Sequence, residues 1–555
     1  MKSLKKILAL VLALVLALSV VACGKPADTP VVDEPATETE TPSTETEEVE
    51  EEEPYTITIS VSAGTGVQEG WDAVAAAYEA LHPNADIVVD LKPGEGYPDW
   101  VNTVSTDIQA DGVPDIVTVN TIADRTDMTI NWNEYMEDVN PYDPQGRAWK
   151  DCFNYDAQSK SAEDNSFDNI SLNSVQVIWF YNKDMFAEVG VEAPKTWDEM
   201  VEVCEKLYAA GYQPISIEGD YKSFYEMRMG WLCRNYIDQT NRSDLLIFRS
   251  QPGDYTYDPD KDDNWEIDYE DPYNDYPEKV TRNNVRKWAA IYDGTYSANT
   301  PGHKAMWDNF CKVFPKYAGE DAFYGCTDCM PAFYQGKAGM IVNTGGFAVS
   351  FARDQKKLAA GEALGEGEDA IEGAQQFALG TFPMPSMTNE SGKWGADELF
   401  QSPARSIEVA TGILGAFNKN AVQTAHVVDF MMFYVSSVGY SAYANAALEA
   451  GWAPDGAPLV YDCTYPEDIT AALSSMEFIG NGQNADFARG LSDNPESTRA
   501  FYDLALQCLK GEITTQEYVE KQAAQHMQYF EAALPSSIAI SDFANPANEP
   551  VGQDG

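Results

Sequence analysis

The first region of the chain alternates apolar and polar residues and then repeats apolar residues at helical spacing. An alternation typical of a half-buried strand begins at Tyr55, and Trp71, Val74 and Tyr78 recur on one helical face. The order strand, helix, strand, helix, strand predicts a parallel sheet covered by helices. The predicted elements are strands at residues 55–61, 87–91 and 116–119 and helices at residues 71–81 and 100–108.

The loops at the carboxyl ends of these strands are the first candidate binding loops. Ligands of open parallel sheets bind beyond the carboxyl ends of the strands. In this chain those ends are residues 63–66, 92–97 and 120–124.

A second strand and helix region begins near residue 175. Residues 175–184 form an apolar strand that leads into a turn, and residues 215–217 form a further strand. Between them, Thr196 and Glu199 have the spacing of a helix capping box. The alternation of strands and helices therefore continues, which favours an α/β fold.

The first residues predict an exported protein. Lys2, Lys5 and Lys6 precede an apolar stretch, residues 7–21, which is short for a membrane-spanning helix and typical of a signal peptide. The sequence Val-Val-Ala-Cys-Gly that follows resembles a bacterial lipobox. This resemblance implies cleavage before Cys23 and attachment of a diacylglyceryl group to its sulfur. An ordinary secretory signal with a chance cysteine is the alternative.

The charge composition limits the classes of partner that the mature chain can bind. Residues 27–54 contain twelve acidic and no basic residues, so we assign residues 1–22 to a signal peptide and residues 23–54 to an extended, lipidated acidic tether. The whole chain has 89 acidic and 36 basic residues, a net charge of −53. This acidity argues against nucleic acids and anionic lipid headgroups as partners, because both require clustered Lys and Arg.

The cysteines and histidines indicate no metal site and no cofactor. Cys204 and Cys508 lie in helical patterns beside apolar residues and are predicted to be buried thiols. Cys326 and Cys329 form a lone CxxC, for which a local disulfide or inert thiols are favoured over zinc or redox chemistry. The four histidines are scattered along the sequence.

Five segments, in order along the chain, resemble motifs of the family 1 extracellular solute-binding proteins of bacterial ABC importers. One such motif alone would be weak, whereas five in the family's order make an accidental match improbable. The segments are YNKDMFAEVGVEAPKTWDEM at 181–200, FYQGKAGMIVNTGGF at 333–347, LGTFPMP at 379–385, the strand 413–417 with the helix 425–435, and GWAP at 451–454.

This resemblance implies an α/β, two-lobed fold of the periplasmic-binding-protein type. Each lobe would be a mainly parallel sheet with helices on both faces, and hinge strands would join the lobes. The N-terminal lobe would comprise residues 55–173 plus 378–446. The C-terminal lobe would comprise residues 175–376 plus 448–540, with an insertion at about 235–330.

The resemblance also implies a function. The protein would capture a small solute, expected to be a sugar or oligosaccharide, by hinge closure, and deliver it to ABC permease subunits. It would act without catalysis, as a monomer held on the outer face of the cytoplasmic membrane by the lipid on Cys23. One alternative is a ligand sensor of the same fold that signals to a membrane receptor. The other, a secreted glycoside hydrolase with paired carboxylates, is disfavoured because a barrel would show eight repeated strand and helix units.

Matching the family's cleft segments gives six candidate ligand-binding residues. Aromatic rings stack on the C–H faces of sugars, and side-chain carboxylates and amides bind sugar hydroxyls. Phe347 follows two glycines that would allow close approach, and Trp452 lies in an irregular segment. For each aromatic residue, core packing is the alternative. The candidates are Thr65, Gly66, Asn120, Trp179, Phe347 and Trp452.

The insertion contains an acidic stretch with two interpretations. The alternation of Asp258, Asp260, Asp262 and Asn264 is similar to a calcium loop, but the Gly and the final Glu that an EF-hand requires are missing. A calcium site and an ordinary acidic surface loop both stay open.

Overall fold

The computed structural model of the protein describes most of the chain from residue 53 onwards. Cys23, Thr65, Gly66, Asn120 and the helix predicted at residues 100–108 lie outside the described residues. The described residues are 53–62, 67–92, 112–118, 128–156, 158, 160, 166–365, 370–388, 402–406, 408–463, 465–474, 476–477, 479–492 and 494–553.

The strands of the described residues form two sheets. The first has the order β2-β1-β3-β9, in which β1 runs parallel to β2 and β3, and β9 runs antiparallel to β3. The second has the order β5-β6-β4-β7, and the first half of β4 also pairs with β8. The strands are β1 (Tyr55–Ser62), β2 (Ala85–Lys92), β3 (Ile116–Thr118), β4 (Asn173–Asn182), β5 (Gln213–Ile215), β6 (Ala338–Thr344), β7 (Leu379–Phe382), β8 (Glu408–Thr411) and β9 (Leu414–Ala416).

The two-lobed α/β prediction is confirmed, and the second sheet is more mixed than predicted. Within it β5 and β6 are parallel, whereas β4 runs antiparallel to both β6 and β7. The predicted capping box is present, because the Thr196 side chain accepts from the Glu199 N–H and the Glu199 side chain returns to the backbone of Thr196.

Helices cover the sheets and fill the inserted segment. Among the described residues, no helix combines the length and the apolar character needed to cross a bilayer. The helices are α1 (Gln68–Glu79), α2 (Lys183–Val189), α3 (Trp197–Ala209), α4 (Tyr221–Glu226), α5 (Arg228–Thr240), α6 (Leu245–Phe248), α7 (Pro259–Asp262), α8 (Asn284–Asp293), α9 (Pro301–Val313), α10 (Met330–Tyr334), α11 (Gly346–Ala359), α12 (Ala421–Tyr434), α13 (Ser437–Glu449), α14 (Glu467–Ser474), α15 (Pro495–Leu509), α16 (Thr515–Gln528) and α17 (Phe530–Ala533).

Buried side chains form a hydrophobic core in each lobe, and we call that of the N-terminal lobe the first core and that of the C-terminal lobe the second core. Three segments of the described chain pass side by side between these two cores. The first is β4, since Leu172 packs in the first core and Val177 in the second. Ser406 lies on the second crossing, where its hydroxyl donates to the carbonyl of Val177. Gly482 lies on the third crossing, and its N–H donates to the carbonyl of Ser406 over 3.2 Å. We call this arrangement, Val177 with Ser406 and Gly482, the hinge ladder.

The domain boundaries predicted from the sequence stay predictions. Side-chain packing gives information on one of them, the boundary near residue 447. Trp452, Val460 and Ile469 all pack against the first core, and the chain joins the second core again by Phe487. Trp452, Val460 and Ile469 therefore lie with the N-terminal lobe, whereas Asp455 contacts Thr344 at the end of β6 and Asp468 contacts Lys356 on α11. The boundary near residue 447 stays a prediction.

The inserted segment is part of the second core. Trp288 on α8 and Trp307 on α9 pack there. Within the acidic stretch, Asp262 is buried and accepts from the N–H and hydroxyl of Thr281, while Asp258 caps α7. The described residues contain no group of three or more His, Cys, Asp or Glu that could hold a metal ion.

Candidate functional site

The turn between β6 and α11 packs directly against the segment that follows Trp452. A Cβ added to Gly345 would lie 2.5 Å from the backbone oxygen of Asp455, and one added to Gly346 would lie 2.6 Å from Asp455 Oδ1. The hydroxyl of Thr344 donates to Asp455 Oδ1 over 2.8 Å. Burial raises the pKa of the Asp455 carboxyl. The two glycines thus allow Asp455 to approach, whereas the sequence suggested that they allow a ligand to approach.

Phe347 is buried among other aromatic rings. Its side chain is 5 % exposed. Its ring contacts Phe180, Phe333 and Phe351 at centroid distances of 5.0, 5.8 and 5.7 Å. The core-packing alternative describes its surroundings in this structure, and its contact with a solute stays a prediction.

Trp179 lies in the core of the second lobe. Its side chain has no exposed surface, and its ring stacks on Phe382 with a centroid distance of 5.9 Å and an interplanar angle of 2°. It lies on β4, between β6 and β7, and its ring belongs to the same hydrophobic core as buried side chains of α2 and α3. In this structure the ring has no free face to offer a sugar.

Trp452 is half-buried and remains the strongest of the predicted residues. Its ring meets Tyr443 edge to face at 6.0 Å and Tyr465 at 6.5 Å. Tyr465 in turn donates to Asn173 Oδ1 over 3.1 Å, and Tyr440 donates to the same atom. We call Trp452, Tyr443, Tyr465 and Tyr440 the aromatic wall.

The aromatic wall reaches the first predicted binding loop. The N–H of Val67 donates to the Tyr443 hydroxyl over 3.3 Å, and Val67 directly follows Thr65 and Gly66. Burial raises the pKa of Tyr443 to about 12, so its hydroxyl stays protonated at neutral pH and retains a proton to donate. Trp452 therefore contacts Tyr443, and Tyr443 contacts Val67, the residue just before α1.

Arg353 connects the two sides of this region and was not predicted. From α11, its Nη1 donates to the carbonyls of Gly451 and Trp452, both over 2.7 Å, and its Nη2 donates to Leu448 over 3.4 Å. A cation at the carbonyl end of α13 complements the helix dipole. No local signal marks Arg353, because its partners lie about a hundred residues away in the sequence.

These contacts gather aromatic rings and hydrogen-bonding groups in one region. Trp452 is half-buried, whereas Tyr443, Tyr465 and Tyr440 are buried behind it, and Asp455 and Thr344 contribute oxygen atoms beside the turn. Aromatic rings with a few polar groups are typical of sites that recognise small polar molecules. Thr65, Gly66 and Asn120 lie outside the described residues, and their part in binding stays a prediction.

Comparison with known proteins finds one matching family model and many solved structures with a similar fold. Residues 64–325 match the family model described as bacterial extracellular solute-binding protein. The curated proteins include no match to this chain.

Three solved structures illustrate the similarity of fold. A family 1 extracellular solute-binding protein from Bifidobacterium longum subsp. infantis is 12% identical, with 85% of this chain and 99% of that chain covered and a TM-score of 0.52. The cyclic α-maltosyl-1,6-maltose binding protein from Arthrobacter globiformis is 15% identical, with 86% and 100% covered and a TM-score of 0.51. A putative binding protein, MsmE, from Bacillus subtilis subsp. subtilis strain 168, in an open conformation, is 14% identical, with 86% and 98% covered and a TM-score of 0.51.

Proposed function

We propose that this chain captures a sugar or oligosaccharide outside the cytoplasm, because residues 64–325 match the model of the bacterial extracellular solute-binding protein family. The solute is bound between the lobes and delivered to the permease subunits of an ABC importer. The family match over residues 64–325, together with the two-lobed fold, is the observation that carries this proposal.

The hinge ladder and the aromatic wall support capture by closure. Closure of two lobes excludes water from the cleft, and a ligand that binds the closed state better shifts the population towards it. Trp452 supplies a half-buried aromatic ring, and the buried Tyr443 behind it accepts from Val67, which follows the first binding loop. One structural relative is named for binding a cyclic maltosyl-maltose, which is in keeping with a carbohydrate ligand.

Binding to a membrane receptor as a ligand sensor is the alternative use of the same cleft. Both functions need the same closed state, so they differ only in the partner that recognises it. Co-purification of permease subunits with the ligand-loaded protein favours import.

The function is tested by ligand screening combined with one substitution. Mono- and oligosaccharides are screened for a rise in melting temperature, since a ligand that binds only the folded state stabilises it. Calorimetry then measures the best sugar against Trp452→Ala. We expect affinity to fall about tenfold or more, roughly 1.4 kcal/mol, because an aromatic anchor in a closed cleft is lost.

The control is Tyr208→Ala, which removes an aromatic side chain that is 42% exposed on α3. It should leave sugar affinity unchanged. If no sugar stabilises the protein, the carbohydrate assignment is wrong. If a sugar binds but Trp452→Ala binds it equally well, the function stands and the aromatic wall is not the site.

The anchor is a separate part of the proposal. We infer that the mature protein begins at a lipidated Cys23 and lies on the outer face of the cytoplasmic membrane. Cys23→Ala should move the protein from the membrane fraction to the soluble fraction. Retention of this variant in the membrane fraction, measured by immunoblotting, contradicts the lipid anchor.

A further inference from the structure

Two cysteines far apart in sequence lie in contact inside the second lobe. Cys311 Sγ and Cys508 Sγ are 3.9 Å apart. Cys311 lies near the end of α9 and is exposed, whereas Cys508 lies on α15 and is 3% exposed. The sulfur of an exposed cysteine therefore lies in contact with the sulfur of a buried one.

The helix that carries Cys311, α9, is held to α16, which follows the Cys508 helix α15 after residues 510–514. On α9, Asp308 accepts from the Thr515 hydroxyl over 2.5 Å, and Trp307 packs on Tyr518 with ring centroids 4.2 Å apart. A disulfide requires the sulfurs at about 2.05 Å, so they must approach by roughly 2 Å, a displacement that side-chain rotation can provide. The helices themselves need not separate or shift register.

We propose that Cys311 and Cys508 form an intramolecular disulfide when the protein meets a disulfide donor outside the cytoplasm. The pairing differs from the local one that the CxxC suggested. Cys326 Sγ instead donates to the carbonyl of Asp328 over 3.5 Å, and Cys329 is fully buried.

The geometry gives the two cysteines different roles. The hydrogen bond from Cys508 lowers the pKa of Cys311, which is also the accessible thiol. The Cys311 thiolate attacks one sulfur of a donor R–S–S–R and expels R–S⁻, leaving a mixed disulfide. Cys508 then loses its proton and attacks Cys311 Sγ, which expels the second R–S⁻. Two protein thiols are thereby oxidised, and one donor disulfide is reduced to two thiols.

The disulfide would staple the inserted segment to the C-terminal helices. It would close a loop that contains β6 to β9 and helices α10 to α14. A long loop loses much unfolded-state entropy when its ends are joined, so oxidation stabilises the folded protein.

The test uses the full chain in defined mixtures of glutathione and glutathione disulfide. Remaining free thiols are alkylated, and the protein is digested without reduction and analysed by mass spectrometry. We expect a cross-linked peptide pair that carries Cys311 and Cys508, lighter by two hydrogens than the separate peptides. We also expect the melting temperature to rise by about 2–5 °C on oxidation.

Cys311→Ser is the informative variant because it changes an exposed side chain, and Cys326→Ser is its matched control. The oxidation-dependent rise in melting temperature should vanish in Cys311→Ser and persist in Cys326→Ser. The proposal is overturned if both thiols are alkylated in an oxidising glutathione mixture, if Cys311 stops at the glutathione mixed disulfide, or if the cross-link joins Cys326 to Cys329.

Discussion

Replacing Arg405 by Met is expected to lower the free energy of unfolding by about 3–5 kcal/mol, because it removes the cation paired with buried Asp275 and the nearer of the two cations paired with buried Asp238, whose other partner, Arg242, is 3.6 Å away. Arg405 donates to Asp238 over 2.6 and 2.8 Å and to Asp275 over 2.5 and 3.1 Å. The three side chains are at most 1% exposed. Asn484 also donates to Asp275, over 2.7 Å, which fixes the carboxylate in place.

Denaturant unfolding measures this loss, and Lys279→Met is the matched control. Lys279 pairs with Asp271 over 2.8 Å, but its side chain is 46% exposed. An exposed pair contributes about 0–1 kcal/mol, so this control should unfold nearly as the parent does. If Arg405→Met unfolds as the control does, Arg405 does not hold the insertion to the hinge region.

The protein should also lose stability in acid because two histidines are buried in the neutral form. His303 accepts from Trp307 Nε1 over 3.2 Å, and His526 stacks on Phe487 at 5.0 Å. Burial lowers the pKa of His303 and of His526 from 6.5 to about 3.

The direction of the pH dependence follows from these two pKa values. Between about pH 6.5 and pH 3 the unfolded chain binds protons that the folded protein does not, so stability is complete above pH 6.5 and falls as the pH drops. At pH 4.5 the loss should be roughly 2–3 kcal/mol per histidine. Thermal unfolding at pH 7.5 and pH 4.5 measures it.

His526→Phe isolates one of the two contributions. Neither ring nitrogen of His526 has a hydrogen-bond partner among the described residues, so an apolar ring of similar shape removes an unpaired polar group. The melting temperature of this variant relative to the parent should rise as the pH falls. His426→Phe serves as the control, because the His426 ring is only half-buried. An equal pH dependence of His526→Phe and the parent would show that His526 is charged in the folded protein.

Local patterns predicted the local elements well. The alternation that begins at Tyr55 became β1, and the face of Trp71, Val74 and Tyr78 became the buried face of α1. Cys204 and Cys508 are buried as predicted. These features follow from periodicity within a few residues, which any solution of the fold must respect.

Contacts over long sequence distances could not be predicted in this way. The sequence predicts a close approach at Gly345 and Gly346, and in the structure the approaching atoms belong to Asp455, 109 to 110 residues later. The link from Trp452 through Tyr443 to Val67 likewise depends on how α13 packs on α1. A pattern of residue types specifies that a glycine or an aromatic ring has a partner, and only the fold specifies which one.

The hinge ladder has a consequence for the entropy of ligand capture. Its three segments are joined to one another through Ser406, so adjacent hydrogen-bonded crossings connect the lobes in place of a single flexible linker. A flexible linker would lose conformational freedom at every closure, and the ligand would have to compensate for that loss. Here most of that freedom is lost when the protein folds, and a small solute can retain more of its contact energy as affinity.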